Sequence, residues 1–326
     1  MKRTGSFAAL AATALIAGQA MAADMTLRFG HVGNPGSLFE ATANHFAECA
    51  NGTLGDKAEV QAFGASQLGT DKELLQKLKL GQVQFALPSS VMSSVDDKFG
   101  IFEMPYIIKD RDHMRRVQDA MMDEFEAAAN SHGYTIVGFA ENGFRHITNN
   151  VRPINVPGDL EGIKLRTPNG AWRVKMFKEY GANPTPMAFS DVFTALQTGV
   201  IDGQENPYAQ IASAKFQEVQ KYLSITGHVY TPAYILASKS QFDALPEDVQ
   251  AALKECAAET QDFTYETAAA MEVELLDVIK AAGVEVNEAD KDAFIAASQP
   301  IYDEFSAEVE GGGEMIQQVL GLGDAS

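Results

Sequence analysis

Short apolar runs alternate with amphipathic stretches along the first half of the chain. The apolar runs predict strands, and apolar residues spaced three or four apart predict helices. The predicted elements of this half are strands at 27–32, 58–63, 83–87 and 135–140, with helices over 37–50 and after Thr70. Strands that alternate with helices are typical of a mostly parallel sheet covered by helices, so the predicted fold class is α/β.

A second set of similar units begins after Gly143. It comprises a strand at 163–166, a helix over 171–180, a unit at 189–198, a short strand at Val200 and Ile201, and strands at 222–225 and 234–237. The last of these returns the chain to the first set. We therefore predict two domains around a hinged cleft, with domain I at 23–143 plus about 228–270 and domain II at 144–227 plus about 271–326.

One helical pattern is much longer than the others and covers 246–281. Pro246 followed by two acidic residues is typical of a helix start, and Gly283 is typical of a stop. At about 1.5 Å per residue, this helix would be roughly 54 Å long, more than the width of one such domain. No heptad register persists through 268–270, which disfavours a coiled coil.

The first 22 residues have the pattern of a cleavable signal peptide. Lys2 and Arg3 precede an apolar run at 7–17, and a small-x-small site occupies 20–22. The run is too short to span a membrane, and the alternative is an N-terminal core helix. We expect the mature protein to begin at about Ala23 and to lie in the periplasm.

The net charge is strongly acidic, at −19 for the whole chain. Loss of Lys2 and Arg3 with the signal peptide takes the charge from −19 to −21. Such a surface disfavours nucleic acid or anionic lipid as a partner. An anionic ligand would therefore need positive charge supplied locally by its site.

The chain has two cysteines, Cys49 and Cys256. Neither has His or Cys neighbours at the spacing of a metal site. In an oxidising compartment they could form a disulfide or remain as two buried thiols, and the sequence leaves both possibilities open.

Two arginines stand in short motifs that follow apolar runs. Arg145 lies in GFRHITNN (143–150) and Arg166 in GIKLRTPNG (162–170), while Asn206 ends the motif DGQEN (202–206). An arginine presents a planar fork of donors that matches a carboxylate through two bonds. Arg166 ends a predicted strand, and the carboxyl edge of a parallel sheet is where ligands bind in α/β folds.

These motifs resemble those of the solute-binding proteins of TRAP transporters, the tripartite ATP-independent periplasmic uptake systems, of the DctP type. Further resemblance lies in 29–37, 64–87, 102–108 and 219–228, so it covers nearly the whole mature chain. The resemblance implies a two-domain periplasmic-binding-protein fold with a ligand cleft between the domains. It also implies that the long helix braces both domains, and that Cys49 and Cys256 lie on helices of one domain.

In the second domain, the resemblance implies four ligand-binding residues. Arg166 would bind the ligand carboxylate, Arg145 would be a second anion-facing arginine, and the amide of Asn206 would donate to the carboxylate or a hydroxyl. Phe189 would form an apolar wall. The alternatives are a hinge salt bridge for Arg145, a turn residue for Asn206 and a core aromatic for Phe189.

In the first domain, four residues at strand ends or helix starts are expected to face the cleft and to contact the other end of the ligand. These are His31, Asp71, Glu73 and Ser89. Glu73 could instead be a first-turn acid that stabilises its own helix. Ser89 stands where sialic-acid-binding members of the family carry a carboxylate, which disfavours that ligand.

No phosphate-binding loop, nucleophile elbow or zinc-protease motif is present in the sequence. Together with the resemblance, this predicts a monomeric binding protein without cofactor or metal. The resemblance implies that it captures a small organic anion, such as a sugar acid or dicarboxylate, and delivers it to an ion-gradient-driven membrane permease. The alternatives are the binding protein of an ATP-driven importer, or an enzyme acting on an organic acid with Asp71, Glu73 or His31 as its acid or base.

Overall fold

The computed structural model describes residues 25–323, so the predicted signal peptide lies outside the described residues. Two mixed β-sheets, each covered by helices, form the two lobes of the molecule. Each sheet contains one strand that runs antiparallel to both of its neighbours. The predicted α/β class is confirmed, and the mixed strand directions refine the expected mostly parallel arrangement.

The first sheet has five strands in the order β2-β1-β3-β10-β4. Their bounds are Thr26–Gly30 (β1), Glu59–Phe63 (β2), Phe85–Ala86 (β3), Tyr134–Phe144 (β4) and Tyr230–Ser238 (β10). Strand β10 enters from the far half of the sequence and pairs antiparallel with β3 and β4. The first lobe is therefore built from two separate parts of the chain.

The second sheet has six strands in the order β11-β9-β5-β8-β6-β7. Their bounds are His146–Asn149 (β5), Lys164–Thr167 (β6), Asn183–Pro186 (β7), Gly203–Asn206 (β8), Tyr222–Ile225 (β9) and Glu285–Glu288 (β11). Strand β8 lies between β5 and β6, and all four of its residues are buried. Strand β8 therefore carries Glu205 and Asn206 into the interior.

Eleven α-helices occur in the described part of the chain, with short 3₁₀ segments between them. Their bounds are Leu38–Leu54 (α1), Asp71–Lys79 (α2), Arg111–Ser131 (α3), Ala171–Glu179 (α4), Val192–Gln197 (α5), Tyr208–Ser213 (α6), Lys239–Phe242 (α7), Glu247–Ala281 (α8), Lys291–Ala296 (α9), Gln299–Glu308 (α10) and Gly312–Gly323 (α11). Within these residues, no helix has the length and apolar character needed to cross a membrane.

Helix α8 is the predicted long helix and joins the two lobes. It packs against α1 and β4 of the first lobe and against α6 of the second. A small apolar cluster at the contact contains Leu38 of α1, Ala209 of α6 and Ala268 of α8. Hydroxyl contacts between Thr42 and Thr264 also hold α8 to α1, at 3.1 Å. The brace predicted from the sequence is therefore present.

Cys49 of α1 and Cys256 of α8 form a disulfide. The bridge links the brace helix covalently to the first lobe. Of the two possibilities that the sequence left open, the structure contains the bridge.

The short strand predicted at Val200 and Ile201 is wrong. Gly199 turns the chain with a positive φ of 72°, and the Val200 amide donates to the Ala195 carbonyl at the end of α5. Val200 is 60% exposed. The strand that delivers the buried polar residues begins later, at Gly203.

The chain passes from the first sheet to the second between Phe144 and His146, and it returns between β9 and β10. Helix α11, within the range predicted for domain II, packs against α3: the His113 ring contacts the Val319 carbonyl at 2.8 Å. The exact domain ranges stay a prediction.

Candidate functional site

A cleft lies between the two lobes, next to the points where the chain crosses between them. Its cavity volume is about 50 Å³. Its lining residues are Val32, Phe39, Thr70, Asp71, Lys72, Ser89, Ser90, Val91, Asn142, Arg145, Arg166, Pro168, Asn169, Met187, Ala188, Phe189, Asn206 and Gln210. Six of the eight residues predicted from the sequence are among them: Arg166, Arg145, Asn206, Phe189, Ser89 and Asp71.

Arg166 stands on β6 with its guanidinium in the cleft and only 4% of its surface exposed. Its Nε and Nη2 donate to the Met187 carbonyl at 3.0 and 2.7 Å. No carboxylate in residues 25–323 forms an ion pair with Arg166. Burial lowers the pKa of Arg166 to about 10, so the side chain remains charged at neutral pH.

Arg145, the second predicted arginine, is held by carboxylate and carbonyl groups of β8. Its Nε donates to Glu205 Oε2 at 2.5 Å, and its Nη2 donates to Glu205 Oε1 and to Asn206 Oδ1 at 3.0 Å each. Both Arg145 and Glu205 are fully buried. Arg145 lines the cleft, but most of its hydrogen-bonding capacity is used within the protein.

Glu205 is the centre of a larger buried charge cluster, formed by Arg145, Glu205, Arg173, Glu103 and His228. Arg173 of α4 donates to Glu205 Oε2 at 2.6 Å, and its Nη2 lies 2.7 Å from Glu103 Oε2. His228 Nε2 lies 3.2 Å from the same Glu205 oxygen. The sequence motifs pointed to Arg145 alone. The only signal for the others was that Glu205 precedes Asn206 and that Arg173 follows the Arg166 motif.

The titration behaviour of the cluster follows from its ion pairing. Burial alone would raise the pKa of Glu205, but Arg145 and Arg173 reverse this effect and hold the pKa far below its usual value. Burial lowers the pKa of His228 to about 4, so its ring is neutral at pH 7. Burial raises the pKa of Glu103, although the charge of Arg173 opposes the shift. Arg145 and Arg173 are thus paired with Glu205 and Glu103, whereas Arg166 forms no ion pair within residues 25–323.

Asn206 and Phe189 lie beside Arg166 on the wall of the second lobe. The Asn206 amide donates to Gln204 Oε1 at 2.6 Å, while its oxygen accepts from Arg145. The Phe189 ring centroid lies 5.9 Å from the Arg166 guanidinium carbon, and its edge packs on Phe216. Phe189 therefore contributes both an apolar wall and a cation–π contact.

Two first-lobe residues predicted from the sequence face this wall. Asp71 begins α2, and burial raises the pKa of its carboxyl to about 6, although the charge of Arg166 opposes the shift. Ser89 is buried, and its hydroxyl donates to the Pro232 carbonyl at 2.6 Å. Asp71 is the only acid among the lining residues in the described part of the chain.

His31 and Glu73 are not among the lining residues. Glu73 accepts from the Thr70 amide at 2.8 Å and completes a capping box, which is the helix-stabilising alternative considered for it. The His31 ring is buried against Gly64, and burial lowers its pKa to about 4. The positions at strand ends and helix starts were correct, but the side chains point elsewhere.

Comparisons with known proteins agree with this architecture. Residues 29–308 match the DctP family, the bacterial extracellular solute-binding proteins of family 7. The 2,3-diketo-L-gulonate-binding periplasmic protein YiaO of Escherichia coli K12 is 31% identical over 301 residues, which cover 91% of this chain and 92% of the relative.

Two solved structures are similar over nearly their full length. The sugar acid binding protein DctPAm of Advenella mimigardefordensis, in complex with galactonate, superposes with a TM-score of 0.88 at 32% identity, covering 93% of this chain and 98% of the other. A TRAP periplasmic solute-binding protein of Polaromonas sp. JS666 bound to D-erythronate has a TM-score of 0.89 at 31% identity, covering 93% and 100%. This chain therefore belongs to the DctP family and is a solute-binding protein of the TRAP type, as its motifs predicted.

Proposed function

We propose that this protein captures a small hydroxylated carboxylic acid of the sugar-acid class, with Arg166 as the carboxylate anchor. The supporting observation is the position of Arg166, a buried and charged guanidinium in the cleft that has no carboxylate partner in residues 25–323. A desolvated charge of this kind is unfavourable until an anion pairs with it. The ligand carboxylate supplies the missing partner.

The lining chemistry favours an acid with several hydroxyls. Asn142, Asn169, Ser90 and Gln210 offer neutral hydrogen-bonding groups around the anchor. The relatives with galactonate and D-erythronate bind acids of this class. Asp71 in the opposite wall disfavours a second carboxylate on the ligand.

Ligand binding at Arg166 also favours closure of the hinge between the lobes. Arg166 belongs to the second lobe and Asp71 and Ser89 to the first, so a ligand that bonds to both walls stabilises the closed arrangement. We further propose that the protein acts as a periplasmic monomer after removal of residues 1–22. It then delivers its ligand to the membrane permease of a TRAP system without turnover.

Isothermal titration of Arg166 variants with galactonate and D-erythronate tests the proposal. Arg166→Lys keeps the charge but loses the two-pronged geometry, so we expect weaker binding. Arg166→Ala should cost about 2–5 kcal/mol of binding free energy, since the ligand carboxylate is left buried without a partner.

Arg115→Ala is the matched control, because Arg115 pairs with Asp262 outside the cleft. It should bind as the wild type does. If Arg166→Ala bound within a few-fold of the wild type, the anchor would have to be reassigned to Arg145. Conversion of either acid to a new product would favour the enzyme alternative.

A further inference from the structure

Three polar side chains of the cleft form a continuous hydrogen-bonded chain between the lobes. Gln210 of α6 donates through Nε2 to Asn142 Oδ1 at 3.3 Å, and Asn142 donates through Nδ2 to Ser89 Oγ at 3.3 Å. The Ser89 hydroxyl donates to the Pro232 carbonyl at 2.6 Å. All three side chains line the cleft and are buried.

The direction of this chain is fixed at the Pro232 end. A carbonyl oxygen only accepts, so the single proton of Ser89 is committed to Pro232 and its oxygen must accept from Asn142. If the Asn142 amide turned over, its oxygen would face the Ser89 oxygen without a proton between them. The Asn142 oxygen is therefore available to accept from Gln210, and the Gln210 amide is oriented in turn.

In this orientation, the Gln210 amide oxygen is a hydrogen-bond acceptor at the end of the chain that is farther from Pro232. Gln210 is only 3% exposed, and its Oε1 is buried without a hydrogen-bond partner in residues 25–323. A buried amide oxygen without a donor is unfavourable and needs one from elsewhere. A hydroxyl can donate to this oxygen, whereas an ionised carboxylate cannot and would be repelled by it.

We propose that Gln210 is a specificity-determining residue, whose Oε1 accepts a hydrogen bond from a ligand hydroxyl and thereby selects hydroxy acids over dicarboxylates and unsubstituted acids. The Ser89–Asn142 pair acts as the positioning element that keeps this oxygen turned toward the ligand. The inference rests on the proposed function, because it assumes that the ligand carboxylate binds at Arg166.

Matched acids of equal length test the inference by isothermal titration. The four-carbon set is D-erythronate, butyrate and succinate, and the six-carbon set is galactonate, hexanoate and adipate. The wild type should bind the hydroxy acid of at least one set more than tenfold tighter than its two counterparts. Gln210→Met should weaken hydroxy-acid binding by about 10- to 100-fold, while affinity for the unsubstituted acid changes less than threefold.

Gln217→Met is the matched control, because Gln217 is a partly buried glutamine outside the cleft lining, and its Oε1 has no hydrogen-bond partner among the described residues. It should leave every affinity unchanged. An unchanged preference for the hydroxy acid in Gln210→Met would overturn the inference. Wild-type preference for succinate or adipate that still depends on Arg166 would overturn it too, but would leave carboxylate binding at Arg166 intact. No binding of any of the six acids would overturn both.

Ser89→Ala separates orientation from simple packing. Without the Ser89 oxygen, both amides are free to turn over, and Gln210 can present its N–H donors to the ligand. The ratio of dicarboxylate affinity to hydroxy-acid affinity should then rise at least tenfold. An equal loss of affinity for all acids would indicate a packing role only and would contradict the positioning element.

Discussion

Arg145 and Arg166 carry the same charge on the same wall of the cleft, but their surroundings differ. Arg145 is bonded to Glu205 and belongs to a cluster in which two arginines balance two glutamates. Arg166 is equally buried, and its strongest contacts are to one backbone carbonyl. The first arginine is paired within the protein, and the second forms no ion pair within residues 25–323, as its proposed role of carboxylate anchor requires.

The difference shows how a strongly acidic protein can bind an anion. The arginines of the cluster around Glu205 are paired with carboxylates of the protein. Arg166 is the buried cation of the cleft that forms no ion pair within residues 25–323, and Lys72 lines the cleft as a second, exposed cation. Under the proposed function Arg166 pairs with the ligand carboxylate, while Asp71 in the opposite wall disfavours a second carboxylate.

The largest expected effect is a loss of stability when an arginine of the buried cluster around Glu205 is removed. Arg173→Met would leave Glu103 and part of Glu205 buried without their partner, and should lower the free energy of unfolding by about 3–5 kcal/mol. Chemical denaturation measures the change. Lys175→Met, which removes two partly exposed ion pairs, to Glu304 and Glu308, from the same helix, should have a much smaller effect. Equal losses in the two variants would contradict the structural role of the cluster.

The affinity of the cleft around Arg166 for its ligand should depend on pH because of Asp71. Burial raises the pKa of Asp71 to about 6. At pH 7 this carboxyl is mostly ionised and repels the ligand anion. Binding therefore favours the protonated form, and the affinity for a sugar acid should rise by up to about tenfold as the pH falls from 7 to 5. Titration calorimetry at both pH values measures the change.

Asp71→Asn provides the control for this pH dependence. The variant has no titrating group at that position, so its affinity should be nearly the same at pH 5 and pH 7. If the wild type bound more weakly at pH 5, or if the variant kept the full dependence, Asp71 would not be its source.

The smallest expected effect is on the stability of the unliganded protein when the unpaired arginine is removed. Arg166→Met loses hydrogen bonds to the Met187 carbonyl but also removes the cost of burying an unpaired charge. The free energy of unfolding should change by about 1 kcal/mol or less. A loss as large as that of Arg173→Met would show that Arg166 is a structural residue.

The sequence predicted the fold class, the brace helix and most of the cleft residues, because these depend on local patterns and short motifs. Helix α3 was not among the predicted elements, although its buried Met114, Val117, Met121 and Phe125 are spaced three or four apart, as in an amphipathic helix. From the sequence, both arginines were predicted to face the anion, and a hinge salt bridge was the alternative for Arg145. The pairing of Arg173 with Glu205 and Glu103 joins distant parts of the chain, and no local pattern indicates it.

The direction of individual side chains was the other feature that could not be predicted from the sequence. His31 and Glu73 occupy the expected ends of elements, but neither lines the cleft. Glu73 completes a capping box, and the His31 ring lies close to Gly64. Gln210 lies four residues after Asn206 and looks like an ordinary helix residue in the sequence. Its importance appears only when the chain of hydrogen bonds to Ser89 is traced across the cleft.

The bridge between Cys49 and Cys256 has a topological consequence for the hinge. The closed covalent loop spans a sequence separation of 207 residues, and both β-strand crossings between the lobes, at 144–146 and 225–230, lie within it. A single peptide-bond cleavage at either crossing would open this loop but would not divide the molecule. The two fragments would stay covalently joined until the disulfide is reduced, so a single protease cut at a crossing would not release either lobe.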